Sequence, residues 1–120
     1  MKTIFVVDDN STNLMMADEA LTDHFNVITI LSAFTMFELF DDSIPDMILL
    51  DIKMPDISGF DVLKRLKTDA RYAGIPVIFL TSLNDAAEEE RGYKMGAADF
   101  IKKPFSKPVL LERINTVLGR

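Results

Sequence analysis

Cysteine is absent from the sequence, which excludes disulfides and thiolate metal sites. Long hydrophobic runs are absent too, and nothing approaches the roughly 18 apolar residues of a transmembrane helix. The first apolar run, Ile4-Phe5-Val6-Val7, is too short for a signal-peptide core, and no small-residue cleavage site follows it. A cytoplasmic location without a membrane partner is therefore expected. Positive charge is scarce: 13 Lys and Arg against 19 Asp and Glu leave a net charge of -6. Such a surface opposes phosphate backbones, so no direct nucleic-acid contact is expected. The single histidine, His24, falls near the end of the first predicted helix and reads as structural rather than as a phosphodonor. No repeat, low-complexity stretch or linker interrupts the 120 residues, 48% of them hydrophobic. That predicts one domain over 1–120 with a real core.

What is present is organised around Met47-Ile48-Leu49-Leu50-Asp51, four apolar residues running into one carboxylate. An apolar run bounded by Pro45 and Pro55 reads as a strand buried on both faces, which belongs to a parallel sheet covered by helices. Ile4 to Val7, ending in Asp8-Asp9, repeats the design. Asn10 or Ser11 can cap a helix in which Leu14, Ala17, Leu21 and Phe25 share a face. Asn26 to Leu31 is the second expected strand, and residues 33–42 are the second helix. Phe34, Phe37 and Phe40 there exceed what one helix face can bury, which leaves one of them open to a partner. After the loop Ile52 to Ser58, a third helix starts at Gly59 with Phe60, Leu63 and Leu66 inward. Val77 to Leu80 forms a strand ending at Thr81-Ser82. A fourth helix over about 84–95 has a poor apolar face, interrupted by the solvated Glu88-Glu89-Glu90. A short strand follows from Asp99 to Lys102 or Lys103 and stops at Pro104. The last helix starts near Pro108 and carries Leu110, Ile114, Val117 and Leu118 at helical spacing. The seven methionines read as core filler. Alternation of five strands with five helices predicts an α/β, doubly wound, five-stranded parallel sheet of order 2-1-3-4-5, flavodoxin-like, with helices on both faces.

In that order the switch point lies between strands one and three, and ligands bind there, at the carboxyl ends of the strands. Asp8, Asp9, Asp51, Thr81 and Lys103 converge on that edge. Taken singly, Asp8-Asp9 reads as acids at a helix N-terminus, Thr81-Ser82 as a cap and Lys102-Lys103 as a solvated pair. Taken together they pose an electrostatic problem. Two like charges about 4 Å apart repel by roughly 4 kcal/mol at an effective dielectric of 20. Either a carboxylate is protonated or a cation joins the group. Oxygen-only ligands suit a hard ion, and one or two carboxylates plus waters suit Mg²⁺ better than a full Ca²⁺ cage.

These residues resemble the receiver domains of two-component response regulators, the single-domain chemotaxis regulator among them. The resemblance spans essentially the whole chain. It rests on Val7-Asp8-Asp9, on Leu50-Asp51-Ile52-Lys53-Met54-Pro55-Asp56-Ile57-Ser58-Gly59, on Leu80-Thr81-Ser82, on Gly96-Ala97-Ala98-Asp99-Phe100 and on Lys103-Pro104-Phe105. It implies that Asp51 accepts a phosphoryl group from a phosphohistidine on a sensor histidine kinase or histidine phosphotransfer protein. Asp8, Asp9, Asp51 and the backbone carbonyl of Lys53 would hold Mg²⁺. Lys103, before a cis proline, and the Thr81 hydroxyl would hold the phosphoryl oxygens, with Lys102 a decoy. Phe100 takes the switch-aromatic position. A homodimer or an effector domain would use the face of helix four, strand five and helix five. Autodephosphorylation is implied as well, with Lys53 and Leu83 flanking the path of the attacking water. Rival readings are a haloacid-dehalogenase-type phosphatase, which wants an Asp where Lys53 stands, and a flavodoxin-like cofactor carrier, whose phosphate loop Asp8-Asp9 would oppose. A pseudo-receiver binding module would lack some of the five key side chains. No effector region follows Arg120, and a free-standing regulator and a piece of a longer chain are both open.

Overall fold

A computed structural model describes residues 1–82 and 86–119. Five strands alternate with five helices: β1 (Thr3–Val7), α1 (Ser11–Leu21), β2 (Asn26–Ile30), α2 (Ala33–Leu39), β3 (Met47–Asp51), α3 (Gly59–Thr68), β4 (Val77–Thr81), α4 (Ala86–Met95), β5 (Asp99–Lys102) and α5 (Lys107–Leu118). All strand pairs are parallel, in the order β2-β1-β3-β4-β5. This is the expected doubly wound sheet. Among the described residues, no helix is long and apolar enough to cross a membrane.

The strands alternate their side chains between two cores, as a period of two requires. Phe5, Val7, Ile48, Leu50, Val77, Phe79 and Phe100 face α2, α3 and α4. Ile4, Val6, Met47, Leu49, Ile78, Leu80 and Ile101 face α1 and α5. Every residue of β3 and β4 is buried, which is why those runs carry no polar alternation.

Helix starts follow their caps. The Asn10 side chain accepts from the N–H groups of Thr12 and Asn13, at 2.9 and 3.1 Å. Ser32, Ser58 and Ser106 cap α2, α3 and α5 in the same way. Two helices end earlier than their apolar spacing suggests. α1 stops at Leu21, and a tight turn through His24 still drops Phe25 into the core at 1% exposure. α2 stops at Leu39, just before Asp41, Asp42 and Ser43, residue types that favour helix ends and turns over helix interiors. Its last turn closes through three-residue bonds, from Asp41 N–H to Glu38 O and from Asp42 N–H to Leu39 O. Of its three phenylalanines, Phe40 is buried, Phe37 half-buried and Phe34 69% exposed. Leu83 and the expected start of the fourth helix at 84 lie outside the described residues.

Candidate functional site

The carboxyl ends of β1, β3, β4 and β5 meet at the crevice where the strand order reverses. Asp8 follows β1 and is fully buried; Asp51 ends β3 at 6% exposure; Thr81 ends β4 at 2%. Lys103 follows β5, where its N–H donates to the carbonyl of Thr81 at 2.8 Å, one step beyond the regular ladder. Its ammonium lies 2.8 Å from Asp8 Oδ2 and 3.0 Å from Asp51 Oδ1. The Lys103–Pro104 peptide is cis, as the resemblance implies. Lys102, one residue earlier, is exposed on the strand. The geometry therefore separates the two adjacent lysines.

Asp9 is exposed and completes a trio with Asp8 and Asp51, whose ligand atoms lie within 4.8 Å of one another. Burial pushes the Asp51 carboxyl up to about 6, with Lys103 opposing the shift and the charge of Asp8 adding to it. Burial also works against the Lys103 ammonium, but Asp8 and Asp51 outweigh it and hold its pKa above the usual lysine value. Three carboxylates and one ammonium leave about two negative charges in the crevice, the charge of one divalent cation. The donors are all hard oxygens, so they fit Mg²⁺ rather than a thiophilic or imidazole-bound metal. The Lys53 side chain is exposed and lines a groove of about 700 Å³ with Asp9, Ser58 and Arg91.

Two supports of this site were not legible as such in the sequence. Asn13, one turn into α1, donates its side-chain amide to Asp8 Oδ2 at 3.2 Å, while the Asn10 N–H donates to Asp8 Oδ1 at 2.9 Å. Asp8 is thus held from three sides by Asn10, Asn13 and Lys103. Gly59 lets α3 close over the end of β3: a Cβ there would sit 2.6 Å from the Asp51 carbonyl oxygen. Its N–H donates to the Ile52 carbonyl at 2.7 Å and fixes the loop that follows Asp51.

A cavity of about 720 Å³ lies away from the carboxylates. It lies between α4, β5 and α5, lined by Tyr93, Phe100, Pro104, Val109 and Arg113. Phe100 is turned inward at 6% exposure, its ring 5.2 Å from that of Phe79 and 5.1 Å from that of Tyr93. Asp99 ties the three elements together, accepting from the Tyr93 hydroxyl at 3.1 Å and from Arg113 at 2.8 Å.

The model of the response regulator receiver domain matches residues 4–115. The polar-differentiation response regulator DivK of Brucella ovis is 34% identical over 119 residues, covering 98% of this chain and 97% of DivK. Response regulator PleD of Caulobacter vibrioides is 34% identical over 115 residues; 95% of this chain aligns, but it spans only 25% of PleD. Among solved structures, the BeF3-activated DrrB receiver domain, from Thermotoga maritima, superposes with a TM-score of 0.89 at 32% identity, over 100% of this chain and 99% of that one. The Vibrio cholerae chemotaxis response regulator CheY4 gives 0.91 at 25% identity, over 98% of both chains.

Proposed function

The chain belongs to the response regulator receiver domain family, the phosphorylated module of two-component signalling, and on that premise we propose that Asp51 is its phosphoryl acceptor. The donor is a phosphohistidine on a sensor histidine kinase or a histidine phosphotransfer protein. The observation that carries the reading is the Lys103 ammonium, which bridges Asp8 and Asp51 across two strand ends in a crevice open at the edge of the sheet.

Asp51 is a competent nucleophile once ionised. With a pKa of about 6, about nine-tenths of it is ionised at pH 7. One Asp51 oxygen forms the new bond to phosphorus as the donor's phosphorus–nitrogen bond breaks and the imidazole leaves. Lys103 then transfers its contact from the Asp51 carboxylate to a phosphoryl oxygen, and the Thr81 hydroxyl donates to another. Asp8, Asp9, Asp51 and the Lys53 carbonyl would hold Mg²⁺, which when bound neutralises charge on the equatorial oxygens of the transferred group. Little else is needed, because phosphoryl transfer rests on positioning and electrostatic stabilisation. Asp8 is positioned in advance by Asn10 and Asn13. Water reaching the same phosphorus returns Asp51 to its free state, so the domain resets itself.

Phosphorylation adds about -1.5 to -2 charge beside Thr81. The pull on Thr81 acts on the segment before α4 and favours the inward position of Phe100. The face of α4, β5 and α5 then takes its partner-binding shape, for an effector or a second copy. The phosphatase reading is disfavoured by Lys53, which stands where that chemistry wants a second Asp. Intact-mass measurement after incubation with acetyl phosphate tests the proposal. One phosphoryl group should be added with Mg²⁺ and none with a chelator; no adduct in Mg²⁺ would overturn it.

A further inference from the structure

Arg91, in the second turn of α4, is an exposed cation outside every ion pair of the described residues. Its guanidinium carbon sits 4.4 Å from the centre of the Phe60 ring on α3. Such stacking uses the flat face of the guanidinium and leaves its N–H edge free. Phe60 therefore steadies the group without consuming its donors. Arg91 lines the groove of about 700 Å³ between α4 and the loop after β3, together with Asp9, Lys53 and Glu88. Asp9 belongs also to the acid trio, so this groove opens onto the site of Asp51.

The charged side chains of the groove are two of each sign. Asp9 is committed to the proposed metal. Lys53 is a point charge on a flexible stem. Glu88 is half-buried, three residues before Arg91, and so shares its side of α4. Two further exposed carboxylates border the loop, but Asp56 lines the hollow toward α2 and Asp61 accepts from the Ser58 hydroxyl at the start of α3. Lys103 is engaged with Asp8 and Asp51. Among the described residues, Arg91 is thus the groove's one steadied, unpaired fork of donors.

A donor must carry a phosphoryl dianion past these carboxylates to reach Asp51. We propose that Arg91 captures the phosphoryl oxygens of a small acyl phosphate as it enters this groove, and that Glu88 opposes the entry. Transfer then forms the Asp51 oxygen–phosphorus bond as the acyl oxygen–phosphorus bond breaks. The donor's carboxylate leaves with its negative charge, and no proton moves. The inference rests on Asp51 being the acceptor, and its test separates the two.

The second-order rate constant for phosphorylation by acetyl phosphate, read as intact mass against time at saturating Mg²⁺, tests it. Arg91→Gln should lower the constant about fivefold, the upper end for an exposed ion pair. Arg91→Lys keeps the charge but loses the fork, and should fall between. Glu88→Gln should raise the constant at least about twofold. Lys94→Gln removes the same charge from α4 outside the groove and should leave it unchanged. Phosphoramidate carries half the net charge of acetyl phosphate, so with it the Arg91→Gln effect should shrink to about twofold. Added salt should slow the wild type more than Arg91→Gln. Every variant should still reach the same single adduct, which tells slower capture from a folding defect. No adduct in the wild type overturns the Asp51 reading and this inference with it. Equal rates for the wild type and Arg91→Gln overturn the capture by Arg91 alone. An Arg91→Gln loss matched by Lys94→Gln, or equal for the two donors, overturns it as well.

Discussion

Gly92→Ala is the substitution that most sharply probes how α4 is coupled to Phe100. A Cβ at position 92 would lie 2.4 Å from Phe100 Cζ and 2.9 Å from its Cε1. Carbon atoms settle at about 3.5–4.0 Å, so the ring must give way by roughly 1 Å. It has no room to move deeper, because Phe79 stands behind it at 5.2 Å and Tyr93 beside it at 5.1 Å. The escape is outward, into the cavity between α4, β5 and α5. Overpacking of this kind costs about 1–3 kcal/mol, and alanine in a helix returns about 1 kcal/mol relative to glycine. The net loss of stability should be about 0–2 kcal/mol, small because the two effects oppose. The ring equilibrium is not cushioned in that way, since helix propensity is the same for both ring positions. That bias of about 1–3 kcal/mol against the inward ring shifts its population roughly five- to 150-fold. Nuclear Overhauser contacts between the Phe100 and Phe79 rings should weaken in the variant, and urea unfolding gives the stability. Gly92→Ala combined with Phe100→Leu should recover most of the loss. Intact ring contacts together with a gain of about 1 kcal/mol, the pure propensity effect, would refute the reasoning.

Lys103→Met should cost about 3 kcal/mol in urea unfolding without metal. The figure is at the low end for a buried pair because the Lys103 side chain keeps 15% of its exposure. Mg²⁺ affinity, measured by titration, should fall as pH drops through about 6, because Asp51 must lose its proton to act as a ligand. The linked stability has the opposite sense. The Asp51 pKa is raised on folding, so the native state binds more protons between the ordinary carboxylate value of 3.8 and about 6. The metal-free fold therefore loses stability as pH rises through that window, and Asp51→Asn should abolish this dependence. Thr81→Ala should still accept phosphate, while beryllofluoride and Mg²⁺ should no longer shift the amide resonances of α4, β5 and α5; a full distant response would refute the coupling.

The fold was readable because its signals are local. β3 and β4 are unbroken apolar runs, and their burial on both faces follows from that alone. Asp8, Asp51 and Lys103 were readable because each stands at the point where such a run stops. What escaped depends on contacts between distant segments. Asn13 looks like any polar residue on an amphipathic helix until Asp8 is placed beside it. Gly59 and Gly92 look like ordinary helix residues, and their need for a missing Cβ appears only when β3 and Phe100 are packed against them. The early ends of α1 and α2 escaped because Phe25 and Phe40 keep the helical spacing while the backbone has already turned.

The central claim concerns one carboxylate, and trapping the acyl phosphate tests it directly. Borohydride reduces an aspartyl phosphate to homoserine, which peptide mass mapping locates to a single position. After incubation with acetyl phosphate and Mg²⁺, that conversion is expected at residue 51, with Asp8 and Asp9 intact. Conversion at Asp8 or Asp9, or a phosphoryl group stable to borohydride on Thr81, would contradict it.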